Sequence, residues 1–173
     1  MKLLPMTGRA RLMGDDVSTD AIISSRRKKE TIDPTVLRHF LFEDVDKALA
    51  PSLMPGDILV AGTNFGCGSA MEVAVTVVLA AGIRAVVARS FSRTYLRNAM
   101  NNGLLPIIAN TGSVREGDAI SLRLSAQGVL QLVPTNKVPI ICEPIAPFML
   151  EMLELGGLVP YLQLRGKFAA TAG

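Results

Sequence analysis

Between residues 58 and 88 the chain passes from an unbroken apolar stretch, Ile58-Leu59-Val60-Ala61, through a glycine-rich turn into a long apolar segment. It then returns to a second unbroken run, Ala85-Val86-Val87-Ala88. An apolar run without alternation suits a strand covered on both faces, as in a parallel sheet. The spacing predicts a helix over 69–81 between the two strands. Strand, glycine turn, helix and strand make a right-handed βαβ unit, which needs helices packed on the sheet.

The flanking sequence extends this core. Residues 8–13 alternate as a short strand, and 15–20 form an acidic turn. Residues 24–30 are a polar, basic stretch read as a loop, and Asp33-Pro34 opens a helix near 34–42. Tyr95 to Asn102 reads as a short helix and Leu104 to Ile108 as a third buried strand. Beyond Gly112 the pattern alternates over 117–133, with Gly117-Asp118 and Gln127-Gly128 as turns, which predicts antiparallel hairpin strands. Phe148 to Leu155 is a helix stopped by Gly156-Gly157, and the tail from about residue 166 is expected to be loose. The expected fold class is α/β, a parallel-strand core with helices and an adjoining antiparallel layer. At 173 residues a single domain is expected over 1–173.

Composition narrows the function classes. A net charge of +3 favours anions but is too small to imply nucleic acid. Two cysteines, Cys67 and Cys142, are too few for a disulfide framework, a zinc site or an iron–sulfur cluster held by this chain alone. No metal ligand set is therefore expected. Without a leader pattern or an apolar stretch of spanning length, a cytoplasmic protein away from membranes is expected.

The glycine turn has two roles open. Ser69-Ala70-Met71-Glu72 matches a capping box, in which the serine caps the helix and the glutamate reaches back. The same geometry presents free amides to an anion, with glycines removing side chains that would bar its approach. Nucleotide patterns fail. No Gly-Lys-Ser/Thr follows, and Gly66-Cys67-Gly68 lacks the third glycine of the dinucleotide fingerprint.

Several motifs occur in order: Gly14-Asp15-Asp16, Thr19-Asp20-Ala21-Ile22-Ile23, Pro55-Gly56-Asp57, Asn64-Phe65-Gly66-Cys67-Gly68-Ser69, Ser90-Phe91-Ser92-Arg93, Arg97-Asn98 and Gly103-Leu104. Together they resemble the small subunit of 3-isopropylmalate dehydratase, the counterpart of the swivelling C-terminal domain of aconitase. The resemblance implies a swivelling β/β/α domain and a hydro-lyase of two subunits, associated with leucine biosynthesis. A large partner subunit would carry a 4Fe-4S cluster whose open iron acts on the departing hydroxyl of a carboxylate substrate. Ser69 would be the base that takes a proton from the carbon beside a carboxylate, and Asp20 an acid in the leaving-group network. Gly68, Ala70 and Thr19 would hold substrate. Arg93 and Arg97 would brace the turn, Cys67 would be structural, and the lone histidine, His39, a surface or packing residue.

The sequence departs from the resemblance at the turn itself. The family reads Gly-Ser-Ser-Arg-Glu-His, whereas this chain reads Gly68-Ser69-Ala70-Met71-Glu72-Val73. An arginine that grips a substrate carboxylate is replaced by Met71, which cannot make a two-pronged pair. Compensation is expected from the basic stretch Arg26-Arg27-Lys28-Lys29, with Arg26 matched to the family's specificity loop and assigned to substrate binding. A different malate- or citraconate-like acid, or a subunit that has lost its chemistry and only binds, are the alternatives to isopropylmalate.

Overall fold

The computed structural model describes residues 3–166. Seven strands form one sheet: β1 (Met6–Leu12), β2 (Ile58–Val60), β3 (Ala85–Ala88), β4 (Leu105–Ile108), β5 (Ala119–Leu124), β6 (Leu130–Pro134) and β7 (Ile140–Ile141), in the order β4-β3-β2-β1-β5-β6-β7. Strands β1 to β4 pair in parallel, and β1 turns to pair antiparallel with β5, which begins the β5-β6-β7 half. The parallel core and the antiparallel layer are thus halves of one curled sheet joined through β1. The predicted hairpin of residues 117–133 is β5 and β6.

The helices are α1 (Thr19–Ile22), α2 (Ser25–Glu30), α3 (Pro34–Leu37), α4 (Leu49–Ser52), α5 (Val73–Ala80), α6 (Arg93–Asn102), α7 (Pro147–Glu154) and α8 (Leu158–Arg165). The unbroken apolar runs are explained by two cores on opposite sheet faces. Leu59, Val86 and Ala88 face a cluster with Ile22, Leu37, Val75, Val78 and Tyr95 under the helices. Their neighbours Ile58, Val60, Ala85, Val87, Leu105 and Ile107 face the other way, onto Ile120, Leu122, Leu130 and Leu132 of the antiparallel half and Leu153 of α7. A strand buried on both sides has no position at which a polar side chain is solvated.

Four expectations change. Helix α5 starts at Val73 rather than 69. The stretch 24–30 is not a loop but helix α2 over Ser25–Glu30, as its arginines, lysines and glutamate are good helix formers. The helix expected over 34–42 shrinks to α3 and a 3-10 turn at Arg38–Phe40, because Phe42 takes φ +58° and its amide bonds the Ile22 carbonyl. Helix α8 was not anticipated. The tail beyond residue 166 lies outside the described residues. No helix among those described is long and apolar enough to cross a membrane.

Candidate active site

The loops after β1, β2 and β3 meet at the carboxyl ends of the parallel strands, where open α/β sheets bind ligands. The Val17–Thr19 segment pairs with the glycine turn: the Gly66 amide donates to Val17 O at 2.7 Å and the Thr19 amide to Cys67 O at 2.9 Å. On the other side, the Phe65 amide donates to Ser90 O at 3.0 Å and the Ser92 amide to Phe65 O at 2.9 Å. The Ser92 hydroxyl donates to Gly66 O at 2.6 Å. The turn is therefore held from both flanks before it leaves the body of the protein.

Gly66 is required twice over. Its φ is +76°, and a Cβ there would lie 2.2 Å from Cγ of the buried Tyr95 ring. Gly68 has φ +89°, and a Cβ there would make only ordinary van der Waals contact, 3.7 Å from Thr19 Oγ1 and 3.8 Å from Ser18 Cβ, so only its torsion calls for glycine.

The capping box does not form. The Ser69 carbonyl, which an α-helix would pair with the Val73 amide, instead accepts from the Thr19 hydroxyl at 2.9 Å. Glu72 occupies the N-cap with helical torsions, and no side chain caps α5. None of the amides of Gly68, Ser69, Ala70, Met71 and Glu72 donates a hydrogen bond among the described residues. The turn presents a run of free N–H groups just ahead of the helix, and Gly68, Ser69 and Ala70 are exposed. Such groups favour an anion.

Thr19 is 2% exposed and spends its hydroxyl proton on the turn. Expected to touch substrate, it lies buried with its hydroxyl on the Ser69 carbonyl. Asp20 is the next residue and is exposed. The cap of α1 is Ser18, whose Oγ accepts from the Ala21 amide at 3.0 Å, so Asp20 is free of capping and accepts from the Ser25 hydroxyl. Ser69 and Asp20 thus flank one buried threonine on an open face.

Arg26 makes no hydrogen bond or ion pair with the turn among the described residues. Its guanidinium pairs with Asp44 at 3.0 Å and is 72% exposed. Arg27 is locked by two 2.8 Å hydrogen bonds to Glu43, with its guanidinium 3.8 Å over the Phe40 ring. The Arg27–Glu43 pair holds the Glu43 carboxyl below the usual range. Lys28 reaches the turn, with its Nζ against Met71 Sδ. In the sequence Lys28 is one of four successive basic residues, of which only Arg26 is matched to a role. A helix in place of a loop was the missing signal, since it sets which of four successive cations faces the turn.

Arg93 and Arg97 are exposed, and among the described residues neither side chain makes a hydrogen bond or ion pair, so they do not brace the turn. That task falls to Ser92 and Tyr95. His39 is exposed, as anticipated.

Cys67 Sγ lies 3.4 Å from the Asp16 carbonyl. Cys142 is 4% exposed and pairs through its backbone with Ala109, and burial pushes its thiol up to about 11. Among the described residues no group of three or more His, Cys, Asp or Glu side chains could hold a metal ion. This donor set does not fit a 4Fe-4S cluster.

Residues 45–112, which span the glycine turn, match the aconitase C-terminal domain. Over 167 residues the chain is 44% identical to the methanogen homoaconitase small subunit of Methanocaldococcus jannaschii, covering 96% of each. The chain belongs to the family of aconitase-type dehydratase small subunits. In this hydro-lyase family it is also 37% identical to the 3-isopropylmalate dehydratase small subunit of Thermodesulfovibrio yellowstonii, over 94% of this chain and 96% of that one. The crystal structure of 3-isopropylmalate dehydratase from Methanocaldococcus jannaschii superposes with a TM-score of 0.86 at 42% identity, over 94% of this chain and 96% of that one. That relatives are named small subunits implies a large-subunit partner.

Proposed function

We propose that this chain supplies the proton-transfer face of a two-subunit hydro-lyase acting on a hydroxy di- or tricarboxylic acid, with 3-isopropylmalate the first candidate. The observation that carries it is the exposed Ser69, tied through its carbonyl to Thr19 beside Asp20 and surrounded by undonated amides. Ser69 Oγ takes the proton from the carbon next to a carboxylate, and the amides of Gly68 to Ala70 donate hydrogen bonds to that carboxylate. Asp20, linked to the Ser25 hydroxyl, serves the proton that leaves with the departing hydroxyl as water. An exposed hydroxyl is a poor base in water. Its activation requires the large subunit to close over the turn, so that the amides act at low dielectric. The 4Fe-4S cluster, which this chain's two cysteines cannot hold, belongs to that partner, and the site of action is cytoplasmic.

Identity does not choose among substrates, since the relatives' names include both isopropylmalate and homoaconitate enzymes. Met71 in place of an arginine favours a second candidate set, malate- or citraconate-like acids, or a subunit that binds without turnover. The test is co-expression with the large subunit and assay over these acids. Ser69→Ala is expected to abolish turnover with assembly intact. Normal turnover by Ser69→Ala would remove Ser69 as the base.

A further inference from the structure

The cations of helix α2 are not equivalent. Arg26 is neutralised by Asp44, and Arg27 by Glu43 and Glu30 with its face on Phe40. Lys28 meets no carboxylate among the described residues. Its ammonium rests on the thioether of Met71, which packs its stem against the helix-side core. An ammonium has three donors and a thioether is a weak acceptor, so this contact directs the charge without satisfying it. Met71 follows Ser69 by two residues in the segment whose amides are undonated. A half-buried lysine, held against the turn and lacking an anionic partner, is a preformed seat for an anion.

We infer that Lys28 binds a second carboxylate of the substrate, supplying from helix α2 the charge that the turn lacks at position 71. The inference rests on the assignment of the Ser69 turn as the carboxylate site. A lysine there is a point charge that accepts several carboxylate orientations, whereas an arginine fork fixes one. The substrate class is accordingly a diacid whose second carboxylate lies over Met71.

The experiment measures calorimetric binding of maleate, citraconate and 3-isopropylmalate to the assembled two-subunit protein, with crotonate as the one-carboxylate control. The wild type is expected to prefer at least one diacid to crotonate. Lys28→Met is expected to weaken that diacid roughly tenfold or more and leave crotonate unchanged, since a charge-assisted contact is lost. Lys29→Met, the exposed neighbour, is expected to bind as wild type. The exchange Lys28→Met with Met71→Lys returns the ammonium to the turn and is expected to recover most of the loss, which a merely structural lysine would not. Assembly is checked by gel filtration for each variant. Unchanged diacid binding in Lys28→Met, equal losses for crotonate, or no diacid binding by the wild type would each overturn the inference. Turnover of Ser69→Ala is read separately, so a failure of the serine base and a failure of the lysine seat are distinguishable.

Discussion

The Thr19 hydroxyl donates a 2.9 Å hydrogen bond to the carbonyl of Ser69, fifty residues further along the chain. That contact diverts the carbonyl from the helix that follows and leaves Ser69 on an exposed turn. Thr19→Val keeps the shape of the side chain and removes the donor. It is expected to cost about 1 kcal/mol in urea unfolding. In the assembled enzyme kcat should fall roughly tenfold or more through misplacement of Ser69, with KM less affected. Equal, small effects on both would make the bond merely structural.

Gly66 and Gly68 share a positive φ but not a neighbourhood. Gly68→Ala bears torsional strain alone, on the order of 1–2 kcal/mol. Gly66→Ala adds a collision with the Tyr95 ring, which is fully buried and wedged edge-on against Phe65 with 5.2 Å between centroids. It should be the more destabilising of the two by urea midpoint, by about 2 kcal/mol or more. Similar midpoints would mean the ring moves freely.

Asp57 is 4% exposed and receives Arg9 Nη2 at 2.8 Å and Arg11 Nη1 at 3.3 Å. Burial pushes its carboxyl upward, but the hydrogen bonds from Arg9, the Met54 amide and Arg11 outweigh burial and hold it below its ordinary 3.8. A folded value below the unfolded one means stabilisation that is present above pH 3.8 and lost as pH falls through the lowered value. Acid unfolding should therefore steepen below that point, and less so in Asp57→Asn. Asp57→Ala removes the carboxylate shared by Arg9 and Arg11, while Arg11 keeps Glu116 at 2.7 Å and the Ser52 oxygens; it should cost about 2 kcal/mol at neutral pH. An unaltered acid limb in Asp57→Asn would exclude this carboxylate as the cause.

The Arg26–Asp44 pair is surface-exposed on both sides, at 72% and 50%. Arg26→Ala should change stability by less than about 1 kcal/mol and KM by less than about twofold. A large rise in KM would return Arg26 to the substrate.

Cysteine labelling should be ordered. Cys142 is buried with its thiol pushed up to about 11, whereas Cys67 is half-buried on the turn. Iodoacetamide at neutral pH followed by mass spectrometry should modify Cys67 first. Prior modification of Cys142 would mean that the β6–β7 end opens readily.

The stretches Ile58–Ala61, Ala85–Ala88 and Leu104–Ile108 announced buried parallel strands because no residue in them could face water. The motifs from Gly14 to Leu104 carried the family by their order alone. Turn glycines at 117, 128 and 156 marked element ends through positive φ torsions that are local to each residue. What local chemistry could not supply was the destination of a single carbonyl or a single cation. Ser69-Ala70-Met71-Glu72 satisfies every rule for a helix start, yet a hydroxyl at Thr19, remote in sequence, took the carbonyl and moved the start to Val73. Four adjacent basic residues look interchangeable along the chain. Folding α2 assigned Arg26 to Asp44, Arg27 to Glu43 and Lys28 to Met71, because a helix rotates each side chain by about 100° from the last and its neighbours come from distant loops.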